Sequence, residues 1–116
     1  MVLLTLGLLS AAAIVTLSIY WKNIIQWIKR VWQKLIERLP NDLIQGVKTF
    51  IVKTQEGYKN CTRYYSQDRI SGEWQETNVM KMVDESEIPR SILQKIKGYS
   101  VGSELETTEQ LLSMLS

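Results

Sequence analysis

Residues 20–39 read YWKNIIQWIKRVWQKLIERL, and this stretch decides the fold. At about 100° per residue, Tyr20, Trp21, Ile24, Ile25, Trp27, Ile28, Val31, Trp32, Leu35, Ile36 and Leu39 share one half of a helical wheel. Lys22, Asn23, Gln26, Lys29, Arg30, Gln33, Lys34 and Glu37 fill the other half, and only Arg38 strays to the apolar edge. Pro40, followed by Asn41 and Asp42, stops the helix. Five basic residues against one acidic give this segment a net charge of +4, and it holds three of the four tryptophans. Its apolar half has three possible destinations. It can lie in the plane of a bilayer with its basic half toward anionic head groups. It can continue a membrane span as a packed rod, or it can serve as the core helix of the following domain. In the first case Trp21, Lys22, Trp27, Lys29, Arg30, Trp32 and Lys34 form a membrane interface.

Upstream, Val2–Ile19 carries no charged side chain and is dominated by Leu, Ala, Ile and Val. Nineteen residues from Val2 to Tyr20 span about 28 Å as a helix, close to the thickness of a hydrocarbon core. The expectation is therefore a single transmembrane helix over residues 1–21, an amphipathic juxtamembrane helix over 22–40 and a small domain over 41–116. Basic residues follow the span and none precedes it, which places the amino terminus outside and the domain in the cytoplasm. A cleaved signal peptide ending near Ala11-Ala12-Ala13 is the rival reading, but it lacks a basic first segment. Within the span, Gly7, Ala11 and Ser18 form a stripe of small residues that suits helix–helix packing in lipid.

Residues 41–116 carry a net charge of −2 and read as a small α+β domain. Three strands are expected at Val47–Thr54, Tyr58–Ser66 and Trp74–Val83, forming a three-stranded antiparallel meander. Ser86 is placed to cap a helix that runs past Pro89 to Gly98. A second helix is expected from Ser103, whose spacing to Glu106 fits a capping box.

The 116-residue chain has no histidine, one cysteine and a net charge of +2. This removes histidine-based triads and the common zinc sites, and it weighs against nucleic acid as a partner. No phosphate-binding glycine loop is present, and no cofactor is expected. Cys61 reads as packing rather than as a nucleophile, since no imidazole can activate it. One electrostatic feature remains. Lys59, Arg63 and Tyr65 alternate along one strand face and form a candidate site for a small anionic ligand. The competing account pairs this basic strand with its acidic neighbour, for example Arg63 opposite Glu76.

The function expected from these features is a non-enzymatic, single-pass membrane protein. Its cytoplasmic domain would bind a protein partner or itself within a membrane complex. The alternative is an oligomeric membrane-perturbing effector, toxin or small channel, gated by the domain and by an anionic nucleotide.

Overall fold

Alternating side chains in three successive segments pleat into an antiparallel sheet that a fourth, very short strand completes. In the computed structural model, which describes residues 2–9 and 18–115, the elements run as follows. A single helical turn, α1 (Leu6–Leu9), precedes the long helix α2 (Ile19–Arg38). Strands β1 (Asp42–Thr54), β2 (Gly57–Asp68) and β3 (Trp74–Val83) follow. A 3-10 turn at Glu85–Glu87 leads to α3 (Arg90–Ile96), β4 (Glu104–Glu106) and α4 (Thr108–Leu115). The sheet order is β3-β2-β1-β4, antiparallel throughout.

The α+β class stands, but the sheet has four strands rather than three. The residues expected to open the last helix, Ser103 to Glu106, instead place Glu104–Glu106 beside β1, with Leu105 opposite Ile51. The helix begins one turn later because three threonines hold the junction. The Thr107 amide donates to the Thr49 carbonyl at 2.8 Å. The Thr49 and Thr107 hydroxyls meet at 2.8 Å, and Thr108 Oγ1 accepts from the Thr49 amide at 3.0 Å. The preceding helix is also shorter than expected. Asp84, not Ser86, caps the 3-10 turn by accepting from the Ser86 amide, and Pro89 stands just before α3.

Period 2 sends Val47, Thr49 and Ile51 of β1, and Tyr58, Asn60, Thr62 and Tyr64 of β2, to one face. The apolar half of α2 covers that face. Trp21, Ile24, Ile25, Ile28, Trp32 and Leu35 join Val47, Ile51, Tyr58, Tyr64 and Val83 in one core, closed at its end by Ile92, Ile96 and Leu111. Trp32 meets Tyr64 edge to face with ring centres 6.2 Å apart. Of the three destinations open to the apolar half of α2, the structure takes the core of the domain. Trp21, Trp27 and Trp32 are buried there rather than spread along an interface, while Arg30 and Lys34 face solvent and Lys22 and Lys29 are half-buried.

The apolar leader does not form one continuous helix over residues 1–21. Leu4 exchanges two backbone hydrogen bonds with Val47, at 2.9 and 3.0 Å, and Leu4 and Leu9 are buried in the core. Gly46 permits this approach. A Cβ there would lie 2.6 Å from Leu3 Cβ and 2.9 Å from the Leu4 carbonyl oxygen. The register shifts at the same place, between Ile44 and Gly46, which bends β1 toward the leader. No helix among the described residues is long and apolar enough to cross a membrane. Residues 10–17, the middle of the expected span, lie outside the described residues.

Two substitutions test this packing. Trp21→Ala should destabilise the domain by about 3–5 kcal/mol, read as a lower denaturant midpoint, because α2 is a core helix. A bilayer-bound α2 would leave that midpoint unchanged. Gly46→Val should overpack the leader contact at a cost of about 1–3 kcal/mol. Faster hydrogen exchange at the Val47 amide, with protection retained elsewhere in β1 and β2, is the expected signature.

Candidate functional site

Sheet alternation places Lys59, Arg63 and Tyr65 together on the face away from α2, as their spacing implies. Their roles differ from the expectation. Arg63 lies opposite Asn78, not Glu76, which pairs with Tyr65. The Arg63 guanidinium donates from Nε to Asn78 Oδ1 at 2.6 Å and grips both Glu104 carboxylate oxygens, at 3.2 and 2.9 Å. It also sits 4.3 Å from the centre of the Phe50 ring. These hydrogen bonds to Glu104 push the guanidinium pKa further upward. A fork already engaged on β3 and β4 is a strap across the sheet, not a free anion receptor. Lys48 makes a looser pair with Glu106 at 3.4 Å on the same face.

Cys61 is buried on this face, directly opposite Phe50 on β1 and two residues from Arg63, and its Sγ is 3.7 Å from Asn78 Oδ1. Burial raises its thiol pKa, outweighing the lowering by Arg63. The thiol is therefore held protonated and packed. No cluster of metal-ligating side chains occurs among the described residues.

The stripe of Gly7, Ala11 and Ser18 is not gathered on one helix face among the described residues. Gly7 lies in α1, and Ser18 precedes α2, its carbonyl accepting from the Lys22 amide at 3.0 Å. Ala11 lies outside the described residues.

The recess with mixed chemistry is on the other side of the sheet edge. A cleft of about 510 Å3 opens between α2 and the β2–β3 edge. Its helix wall carries Tyr20, Asn23, Trp27 and Arg30, which recur at helical spacing. Its strand wall carries Asn60 and Lys81, which are direct cross-strand partners. The Tyr20 hydroxyl donates to Asn60 Oδ1 at 2.7 Å and closes the floor of the cleft. Sequence reasoning placed Trp27 and Arg30 on a membrane interface and missed the cleft, because its other wall, with Asn60 and Lys81, comes from strands distant in sequence.

Compared with protein-family models, with curated proteins and with solved structures, the chain matches none. The functional reading therefore rests on the chain's own chemistry and geometry.

Burial raises the pKa of the Tyr20 phenol far above the ordinary tyrosine value, and the nearby Glu87 charge raises it further. Burial does the same for Tyr64 and outweighs the lowering by Thr62. In the unfolded chain both phenols ionise near about 10. Their neutral-state stabilisation is thus complete below that pH and lost as pH rises above it. Alkaline titration should show these two phenolates appearing only together with loss of far-ultraviolet structure. Ionisation near pH 10 in the intact fold would contradict this assignment.

Proposed function

We propose that the chain is a non-enzymatic interaction module held at a membrane by its apolar leader, with the α+β body in the cytoplasm. In this reading the body docks a protein partner, or a second copy of itself, through the sheet face opposite α2.

The observation that carries the reading is the state of that face. All three later helices and the leader contribute to the core on one side, so the opposite face has no covering layer among the described residues. Along β3 it presents Trp74 at 59% exposure and, past Glu76 and Asn78, Met80 at 51% and Met82 at 50%. Leu43, opposite Gln67 and so in line with Trp74, is also half-exposed. Exposed apolar side chains at both ends of one uncovered sheet face favour an interaction surface over a solvated one. The edge of β3 itself is the weaker candidate. Lys81 projects on the α2 side of that strand, and a charge pointing inward there discourages strand addition.

Attachment to lipid is supported by the leader. Even with Leu4 and Leu9 packed in the core, Val2, Leu6, Leu8 and Ile19 remain exposed. The domain thus accommodates only part of a stretch that carries no charge from Val2 to Ile19. The chain holds no histidine, so the imidazole-based mechanisms are closed to it, and the reading is built on binding rather than on catalysis.

The test is the mass of the particle extracted from membranes in mild detergent. A complex larger than one chain is expected, and Met80→Glu together with Trp74→Ser should reduce it to a single chain. A wild-type monomer that carbonate washes from the bilayer would overturn both the docking and the attachment.

A further inference from the structure

The outward half of α2 carries charge that the fold leaves unbalanced. Lys22, Lys29, Arg30 and Lys34 lie on it and Arg38 at its margin, against Glu37 alone. None of these five cations takes part in an ion pair or a side-chain hydrogen bond among the described residues. From Lys22 to Arg38 they are spread along about 24 Å of helix. Arg30, Lys34 and Arg38 are exposed, as are Asn23, Gln26, Gln33 and Glu37, so among the described residues this half has no cover.

The opposite face of the domain is built otherwise. On the outer side of the sheet Lys48, Lys59 and Arg63 stand against Glu76, Glu104 and Glu106, which balance them. Four of these six are joined in the Lys48–Glu106 and Arg63–Glu104 pairs. Charge is thus neutralised on one face and accumulated on the other. Residues 41–116 together carry −2 against the +4 of residues 20–39. An anionic surface would draw the helix side and find nothing to draw on the sheet side.

The chemistry of the helix side narrows the partner. Trp21, Trp27 and Trp32 are turned into the core, so no tryptophan of α2 is left to stack on a base, which weighs against nucleic acid. The cations stand on a convex helix side, not in a groove, and this suits a broad surface of negative charge. Ile19, 76% exposed, precedes Gln26 and Gln33 at seven-residue spacing and so shares their outward line. It marks the point where the uncharged leader enters the helix.

We propose that the outward half of α2 lies on the anionic headgroups of a phospholipid leaflet. It is held there by charge and not by insertion, because the apolar half of the helix is spent on the core. The inference rests on the membrane attachment proposed above and adds its orientation. The helix becomes the layer between bilayer and sheet, and the docking face points away from the lipid.

The test uses the full-length chain, transferred from detergent into preformed vesicles of phosphatidylcholine with or without phosphatidylserine. A nitroxide is placed at Gln33→Cys on α2 or at Glu76→Cys on the outer face of the sheet; buried Cys61 stays unlabelled. Nickel-chelating headgroup lipid then relaxes a label that lies against the leaflet. With phosphatidylserine, strong relaxation is expected at position 33 and little at position 76, and high salt should abolish the difference. Each cation removed should lower the ratio of apposed to free domain by up to about fivefold. Lys29→Gln, Arg30→Gln and Lys34→Gln combined should therefore leave position 33 as weakly relaxed as on phosphatidylcholine alone, whereas Lys59→Gln should change nothing. Equal relaxation on neutral vesicles, relaxation that survives high salt, a stronger signal at 76 than at 33, or an unchanged triple variant would each overturn the proposal. So would binding of a single-stranded oligonucleotide through the same three cations without relaxation on anionic vesicles, which would give the face to nucleic acid. Flotation with phosphatidylcholine vesicles in high salt reads the leader separately. A chain that fails there yet shows the expected pattern on anionic lipid loses the anchor and keeps this surface; one that floats without the pattern keeps the anchor and loses the surface.

Discussion

The apolar half of α2 laid on the inner side of the sheet is the constraint from which the rest follows. A helix of 20 residues reaches about 30 Å, enough to cross all the long strands. Its buried residues give β1 and β2 a hydrophobic surface to fold against, and a sheet of this size is marginal without such cover. Two bonds fix its placement. Tyr20 is tied to Asn60 at one end, and the Tyr64 hydroxyl donates to the Ile28 carbonyl at 3.4 Å further along. With this helix spent on the core, its basic half must face outward, so the +4 charge of residues 20–39 becomes a surface property of the domain.

How much of this was legible in the sequence depends on how local each signal is. The α2 helix could be read almost to its ends, because eleven apolar residues held a strict period and Pro40 closed it. β3 was legible to the residue, and β2 nearly so. What burial α2 would find was not legible, since a periodic face announces that it is buried but not against what. The first residues of β1 hid behind Gln45 and Gly46, where a bulge breaks the alternation. β4 hid inside a segment that also satisfies a helix-capping pattern, and only pairing with residues some fifty positions earlier makes it a strand.

The same distinction applies to the candidate sites. Alternation placed Lys59, Arg63 and Tyr65 on one face correctly, but Glu104 lies 41 residues from Arg63 and nothing near Arg63 announces it. That partner turns a binding group into a structural one. Arg30 and Lys81 are the reverse case, since one reads as part of a membrane-facing basic segment and the other as an ordinary strand cation until the fold sets them on opposite walls of one cleft. The two sides of the sheet therefore carry separate chemistry. One is sealed by helices and opens only at its margin, while the other is strapped by Arg63 and left bare along β3.

Gly46 ties the leader to more than its side chains. The bridge to Leu4 is the strand partner that Val47 has along its free margin, while β4 reaches only as far as Phe50. Any process that draws the leader into lipid must therefore strip one rung from β1 while it uncovers the seats of Leu4 and Leu9. Withdrawal and the unmasking of a fresh, hydrogen-bond-hungry margin would be a single event, and a missing methyl group is what allows the chain to be parked there at all.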